Sequence, residues 1–240
     1  MRYIGSKRRI ADEILPIMLD NDRNTFVDAF CGGCSIIERV PPTYRRIAND
    51  KNKYLIAMWR SLLAGKRYPS VITKQMYDHA RTQVSGKITS GYSDDEIGWI
   101  GFMTSFNGKF FQGYTGHNVV GKDGKTRDYI AEYIANIKKD IAPLRGVEFV
   151  AGSYDCLDLP PRSIVYCDIP YEGRTGYRFG KFNHEAFYSW CKSVASAGHE
   201  VFVSEYQMPE DFTCVWEKEV TNSVNPFATQ KPVERLFTLK

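Results

Sequence analysis

The stretch from Ile164 to Gly173 most constrains the fold, because an apolar, β-branched run ends abruptly in an acid, a proline and an aromatic residue. The pattern predicts a buried parallel strand that carries polar groups to its carboxyl end, where open α/β sheets bind ligands. Asp168 offers a carboxylate and Ile169 a backbone carbonyl, and both accept hydrogen bonds. Pro170 makes a stiff corner, and Tyr171 presents a flat ring. Together these groups suit a planar ring that bears an amino group.

Length and composition bound the class of protein. A chain of 240 residues suits one α/β domain with an inserted subdomain, and 43% hydrophobic residues predict a globular fold. The net charge of +4 permits an anionic partner without requiring one. The first twenty residues lack a long apolar core, and no later run approaches the roughly 18 apolar residues of a membrane helix. We therefore expect a soluble, cytoplasmic protein with no membrane partner.

The cysteines and histidines give little support to a metal site. The cysteines lie mostly in apolar settings, which is typical of reduced thiols in a cytosolic protein. They are residues 31, 34, 156, 167, 191 and 214. Residues 31–34 have the C-x-x-C spacing, so a redox or zinc role stays open, although no second pair accompanies them. The histidines are scattered, and we predict no metal ion.

Two segments near the start of the chain have patterns that indicate a backbone lying close to a ligand. Residues 3–7 lead into an amphipathic helix with Ser6 as the candidate cap, and a solvated basic helix start is the alternative. Residues 25–37 predict a short strand, a glycine turn and a helix capped by Ser35. Such a turn brings backbone close to a ligand at the carboxyl end of the first strand.

A second predicted strand, residues 45–50, ends in an acid. Asp50 follows Asp28 by 22 positions, close to the spacing at which an acidic residue takes ribose hydroxyls in nucleotide-binding folds. A carboxylate can accept hydrogen bonds from both hydroxyls. The alternative role for Asp50 is to cap a helix that starts near Asn52.

The middle of the chain changes from a helical pattern to a loop-rich one. Residues 52–105 predict helices, one of which starts with a capping box at Ser93. Residues 106–127 are rich in glycine, asparagine, lysine and aromatics, with turn signals at 107–108 and 123–124, and predict a protruding hairpin or loop. Basic side chains among amides and aromatics suit phosphate contact and readout of base edges. A plain surface hairpin is the alternative.

Strand and helix patterns alternate again after residue 145. A strand and turn are predicted over 147–155, and further strands near 164–168, 200–206, 213–220 and 233–239. A helix is predicted from 183, and loops at 172–180 and 226–232. This order argues for a mostly parallel sheet that carries an insert.

Asp168 to Tyr171 resembles the Asp-Pro-Pro-Tyr motif of amino-methyltransferases. Together with other segments, it makes the chain similar to the DNA adenine methylase family, which methylates the exocyclic N6 amine of adenine with S-adenosylmethionine. Residues 3–7 resemble the family's opening aromatic-x-Gly-x-Lys segment, and residues 28–35 its Asp/Glu-Pro-Phe-x-Gly-x-Gly-Ser loop. Residues 106–108 resemble the aromatic-Asn-Gly element that precedes a hairpin entering DNA. Three positions depart from these motifs: Ala29 and Ile169 each replace a proline, and Cys34 replaces a glycine.

The resemblance implies an α/β fold: a Rossmann-like methyltransferase sheet with an inserted helical and hairpin target-recognition subdomain. Residues 1–65 and 146–240 would form the catalytic domain, and residues 66–145 the insert. The implied catalytic residues are Asp168, Ile169, Pro170 and Tyr171. The implied S-adenosylmethionine-binding residues are Tyr3, Lys7, Asp28, Phe30, Gly32, Asp50, Asp155 and Asp168. The implied DNA-binding residues are Arg8, Asn107, Lys109, Gln112, Lys122, Lys125 and Arg127.

The expected substrate is double-stranded DNA, with the target adenine flipped out of the duplex. We expect a monomer, with a cognate restriction endonuclease as a candidate partner. Two alternatives stay open. The chain could methylate an amino group on RNA or on a protein amide, because an acid-x-Pro-Tyr arrangement serves any planar amine. It could instead be an inactive DNA-binding homologue, given the three departures.

Overall fold

A computed structural model describes residue 1 and residues 3–19, 22–121, 124–171, 182–220 and 233–239. Lys122 and the two predicted loops at 172–180 and 226–232 lie outside these ranges. The described α-helices are α1 (Ala11–Met18), α2 (Lys53–Leu63), α3 (Lys74–Val84), α4 (Asp94–Thr104), α5 (Tyr129–Asp140) and α6 (His184–Ser196). None of the helices in these ranges is long and apolar enough to cross a membrane.

The described strands form one large sheet and one short hairpin. The strands are β1 (Thr25–Asp28), β2 (Arg45–Asp50), β3 (Val119–Val120), β4 (Thr126–Arg127), β5 (Val147–Ala151), β6 (Ile164–Asp168), β7 (Glu200–Glu205), β8 (Phe212–Glu219) and β9 (Val233–Leu239). The sheet has the order β5-β2-β1-β6-β7-β9-β8, and β4 is the partner of β3 among the described strands. The mixed α/β architecture expected from the sequence is therefore confirmed.

The first five strands along the sheet run parallel, and β9 runs antiparallel to both β7 and β8. Chain order reverses direction between β1 and β6, which pair Phe26 with Ile164 and Asp28 with Tyr166. A reversal of this kind opens a crevice outside the carboxyl ends of the two strands. The fold thus places Asp28 and Asp168 beside that crevice.

Two hydrophobic cores cover the two faces of the sheet. On one face, side chains such as Phe26 and Tyr166 pack with residues of α1 to α5, and on the other face Val165 and Cys167 pack with α6. Strand β6 is buried on both faces, which explains its unbroken apolar sequence. Helices from residues 66–145 thus share their core with the sheet, and a separate recognition subdomain is not confirmed.

Three local predictions were wrong. The glycine turn is followed by one 3₁₀ turn, Ile37–Arg39, and not by a helix capped at Ser35. Ser35 instead accepts a hydrogen bond from the backbone N–H of Lys7 at 3.1 Å. Ser6 caps a 3₁₀ turn over Lys7–Arg9, and α1 begins only after Ile10.

The third error concerns the protruding hairpin or loop predicted over residues 106–127, which was wrong for residues 106–114. A 3₁₀ turn covers Phe106–Gly108, and Phe110 and Phe111 are buried in the core. The ring of Phe110 lies 4.8 Å from that of Phe102 on α4, centre to centre. The two rings therefore contribute to packing. The hairpin itself is present further on, as β3 and β4.

The contact between α2 and α4 yields a stability prediction. A Cβ added at Gly98 would lie 2.1 Å from the carbonyl oxygen of Tyr54, so the two helices must separate to admit it. Alanine gains about 1 kcal/mol in helix propensity, whereas forced repacking costs about 1–3 kcal/mol or more. We expect Gly98→Ala to lower the free energy of unfolding in urea by up to about 2 kcal/mol. Gln75→Ala, on the exposed side of α3, is the control and should change it little. A stabilised Gly98→Ala variant would contradict the close approach.

Candidate active site

Three carboxylates meet at the carboxyl edge of the parallel strands. Asp28 ends β1, Asp50 ends β2 and Asp168 ends β6. Burial raises the pKa of Asp28 most, and the charges of Asp168 and Asp50 are close enough to raise it further. The sequence predicted all three for the site, and topology brings them together.

Lys7 supplies a positive charge to this edge. Its Nζ lies 2.9 Å from Oδ1 of Asp168 and 3.6 Å from Oε2 of Glu234, and its side chain is only 6% exposed. Burial alone would lower the pKa of Lys7, but the charges of Asp168 and Glu234 and the hydrogen bond to Asp168 outweigh it and raise the pKa. Lys7 is therefore a buried ammonium. Its Nζ also donates to the carbonyl of Gly5 at 3.2 Å.

Burial raises the pKa of Asp168, and Lys7 opposes the effect while Glu234 adds to it. The next residue, Ile169, anchors the strand end because its side chain is buried in the core against α6. Nε2 of His184 makes a 3.0 Å hydrogen bond with the carbonyl of Pro170. The corner after the strand is thus held from two sides.

The hydroxyl of Tyr171 donates a 2.6 Å hydrogen bond to Oε2 of Glu234. The Nζ of Lys7 lies 4.6 Å from the centre of the Tyr171 ring, and the ring of Tyr206 meets it edge-on at 4.5 Å. Glu234 lies on β9 and was not among the predicted site residues. Only the pairing of distant strands brings it here, and no local motif marks it.

The glycine turn lies under the ring of Tyr3. A Cβ at Gly32 would lie 2.6 Å from that ring, and one at Gly33 would lie 2.7 Å from the Cβ of Tyr3. Gly32 also has a positive φ of 46°, which favours glycine. Cys34 has a φ of 62°, a left-handed conformation that costs a non-glycine residue roughly 1–2 kcal/mol.

Asp50 holds both the turn and the start of α2. Its Oδ2 accepts the N–H of Gly32 at 3.1 Å, and its Oδ1 accepts the N–H of Asn52 at 2.8 Å. Asn52 itself is the cap of α2. Burial raises the pKa of Asp50 to about 6, although both N–H groups oppose the shift.

Asn49 on β2, which the sequence analysis did not select, links the end of its strand to the ends of β1 and β5 by hydrogen bonds. Its Nδ2 donates to the carbonyl of Ala29 at 2.9 Å and to that of Gly152 at 3.1 Å. The carboxylate of Asp28 is also buried, and its Oδ1 has no hydrogen-bond partner among the described residues. Burial raises the pKa of Asp28, despite hydrogen bonds from the backbone of Phe30 and Ile37.

Aromatic rings line the other side of the glycine turn. The ring centre of Phe30 lies 5.4 Å from that of Tyr154 and 5.9 Å from those of Phe182 and Phe187. Asp155, predicted to bind a cofactor, is exposed on the 3₁₀ turn Tyr154–Cys156. Tyr154 therefore contributes an aromatic ring to the side of the glycine turn where Phe30 lies, and the sequence analysis did not predict this role.

The predicted DNA-binding residues differ in their surroundings. Arg8 pairs with Glu38 and with Asp140, and Arg127 makes a bidentate pair with Glu132. Lys109 is half-buried, and the other described members are exposed: Arg8, Asn107, Gln112, Lys125 and Arg127. The charges of the two arginines are thus partly neutralised within the chain.

Cys31 and Cys34 are free, buried thiols. Burial raises the pKa of both, which disfavours the thiolates that redox or zinc chemistry needs. In the described part of the chain, no three His, Cys, Asp or Glu side chains are grouped so that they could hold a metal ion.

The mostly parallel sheet, with its acids and glycine turn at the carboxyl edge, is consistent with a methyltransferase fold. A sequence model of the D12 class N6 adenine-specific DNA methyltransferases matches residues 3–209. The chain therefore belongs to this family of enzymes, whose members methylate adenine in DNA. No curated protein matches the chain significantly.

Asp50 yields a prediction on pH and stability. Its pKa rises from 3.8 to about 6 on folding. Stability is therefore lost as pH rises through 6, by up to about 3 kcal/mol at about 1.4 kcal/mol per pKa unit. Asn has one acceptor oxygen for the two N–H groups, so Asp50→Asn forfeits about 1 kcal/mol of hydrogen bonding.

We expect Asp50→Asn to raise the free energy of urea unfolding at pH 8 by about 1–2 kcal/mol and to lower it slightly below pH 4. Asp158→Asn, at an exposed site, is the control. An Asp50→Asn difference that does not vary with pH would show that Asp50 ionises normally.

Proposed function

We propose that the protein transfers a methyl group from S-adenosylmethionine to N6 of an adenine flipped out of double-stranded DNA. The observation that carries the proposal is the meeting of Asp168 with Asp28 and with Lys7, whose backbone is hydrogen-bonded to Ser35 of the glycine turn, at one edge of the sheet. The family match supports DNA over RNA or a protein amide as the substrate class.

The residues at this edge fit the methyl donor. S-adenosylmethionine carries an ammonium and a sulfonium, and supplies an electrophilic methyl group when bound. Oδ1 of Asp28, which has no hydrogen-bond partner among the described residues, suits a cationic group, because a positive charge there favours the ionised carboxylate. Asp50 retains lone pairs for ribose hydroxyls beyond its two backbone bonds. Phe30 and Tyr154 offer ring surface for the adenine moiety.

Asp168 and the carbonyl of Ile169 would each accept one hydrogen of the target amine. Adenine's amino lone pair is delocalised into its ring, and two acceptors favour a pyramidal nitrogen whose lone pair is available. Tyr171 would stack on the base, and its bond to Glu234 limits the orientations of the ring. Fixed acceptors of this kind act chiefly by positioning.

The target base must leave the duplex to reach these acceptors, at a cost of a few kcal/mol. Contacts with DNA phosphates would offset this cost, and we assign them to the segment from Asn107 to Arg127. The exposed side chains there, including that of Lys125, support the assignment.

The first functional prediction concerns Asp168. We expect Asp168→Ala to reduce methyl transfer by at least about 10²- to 10³-fold, because the target amine loses a charged acceptor. The measurement is incorporation of labelled methyl into adenine of unmethylated DNA. Asp158→Ala is the matched control and should retain wild-type activity. Near-normal incorporation by a folded Asp168→Ala variant would refute the assignment.

The second concerns the basic residues of the segment from Asn107 to Arg127. We expect Lys109→Ala and Lys125→Ala each to weaken DNA binding and to reduce the slope of log K against log salt by about 0.9 per lost phosphate contact. Lys192→Ala, on α6 where Lys192 pairs with Asp211, is the control. An unchanged slope in both variants would remove this segment from the interface.

A further inference from the structure

We propose that Glu234 is a positioning residue for methyl transfer, which holds Lys7 and Tyr171 in place and takes up the lysine when Asp168 turns to the target amine. The inference rests on the proposed function. Glu234 lies beyond residues 3–209, which the family model matches, so the comparison assigns it no role.

One oxygen atom makes both contacts. Oε2 of Glu234 accepts the hydroxyl hydrogen of Tyr171 at 2.6 Å and lies 3.6 Å from Nζ of Lys7. Since Lys7 and Tyr171 also contact each other through the ring face, the three side chains form a closed triangle. A displacement of any one of these side chains therefore alters the contacts of the other two.

Glu234 is held by a rigid element. It lies on β9, where its neighbour Arg235 pairs with Glu205 of β7 and Glu217 of β8 in the sheet register. Its side chain is only 16% exposed, so its charge is poorly screened by solvent. A carboxylate fixed on a paired strand can set the position of a more flexible lysine.

The geometry gives Lys7 two alternative partners. Its Nζ lies close to Asp168 and slightly further from Glu234. A cation at 2.9 Å weakens Asp168 as an acceptor for the target amine, because it competes for the same lone pairs. A small shift of Nζ towards Glu234 would release Asp168 while keeping the buried ammonium paired. In the described part of the chain, Asp168 and Glu234 are the carboxylates that pair with Lys7, so loss of Glu234 would leave the lysine on Asp168.

Several titratable groups interact electrostatically with Asp168. They are Lys7, Asp28, Tyr166, Tyr171 and Glu234. The charge of Glu234 raises the pKa of Asp168, and Lys7 lowers it. Replacing Glu234 with a neutral isostere therefore lowers the pKa of Asp168. The acidic limb of the rate profile, which reports ionisation of the essential carboxylate, should move to lower pH.

The test compares Glu234→Gln with the wild-type enzyme. The probes are labelled S-adenosylmethionine and genomic DNA that lacks N6-methyladenine, and the readout is N6-methyladenine formed at pH 5 to 9. We expect kcat to fall about 10- to 100-fold, as for loss of a charge-assisted contact, and the acidic limb to move to lower pH. Glu217→Gln, which removes an exposed carboxylate of β8 that pairs with Arg235, is the matched control and should change neither quantity.

Two further variants separate positioning from a merely structural role. Tyr171→Phe removes the hydroxyl contact and keeps the ring, and its effect on kcat should not add to that of Glu234→Gln, because both break the same triangle. Glu234→Asp retains the charge and should keep the acidic limb at its wild-type position. It carries the test should Glu234→Gln fail to fold, and a shifted limb in Glu234→Asp would then count against the proposal.

The outcomes distinguish this inference from the proposed function. Wild-type enzyme that forms no N6-methyladenine would overturn both. Active wild-type enzyme, with a Glu234→Gln variant that retains the wild-type kcat and acidic limb, would overturn the role of Glu234 alone. A lower kcat with an unmoved limb would reduce Glu234 to a packing residue and would also overturn the proposal.

Discussion

The buried ion pair between Lys7 and Asp168 is the interaction on which the edge of the sheet depends. Removing an ammonium from water costs several kcal/mol, which only well-placed partners offset. Here the partners are two carboxylates and the carbonyl of Gly5. The backbone N–H of Lys7 also donates a hydrogen bond to the hydroxyl of Ser35. The first residues of the chain are therefore fixed to the glycine turn and to the central strand at the same time.

The acids at this edge lower the stability of the free protein at neutral pH. Burial raises the pKa of Asp28, Asp50 and Asp168, so their ionised forms are less stable in the folded chain than in water. The positive charge of Lys7 offsets part of the cost of ionising Asp168 in the folded chain. A ligand that brings positive charge would compensate more, and it would gain affinity from the same electrostatics that destabilise the free chain. The strained turn at Cys34 adds to the cost at the same place.

Local patterns predicted much of the fold, and distant pairings account for what they missed. The apolar run of β6, the acid at the end of β2 and the capping box at Ser93 follow from short-range rules, and the structure contains all three. Ser35 and Glu234 were misjudged or missed, because their partners, Lys7 and Tyr171, are remote in sequence. Residues 110 and 111 were misassigned for a related reason. A pair of aromatic residues in a polar segment is typical of a recognition surface. Here Phe110 packs against Phe102 of α4, a contact between residues that the local pattern does not reveal.

The three departures from the family motifs are accommodated by specific contacts. Ala29 donates its N–H to the carbonyl of Tyr166 at 2.9 Å, a hydrogen bond between β1 and β6 that a proline could not make. Ile169 is buried in the core against α6, so packing holds the strand end that a proline ring would otherwise stiffen. Cys34 keeps the left-handed backbone that glycine would adopt freely, and its buried thiol contacts the carbonyl of Gly32. Each replacement is thus held in this chain by contacts of its own: a hydrogen bond between strands at Ala29, core packing at Ile169 and a thiol contact at Cys34.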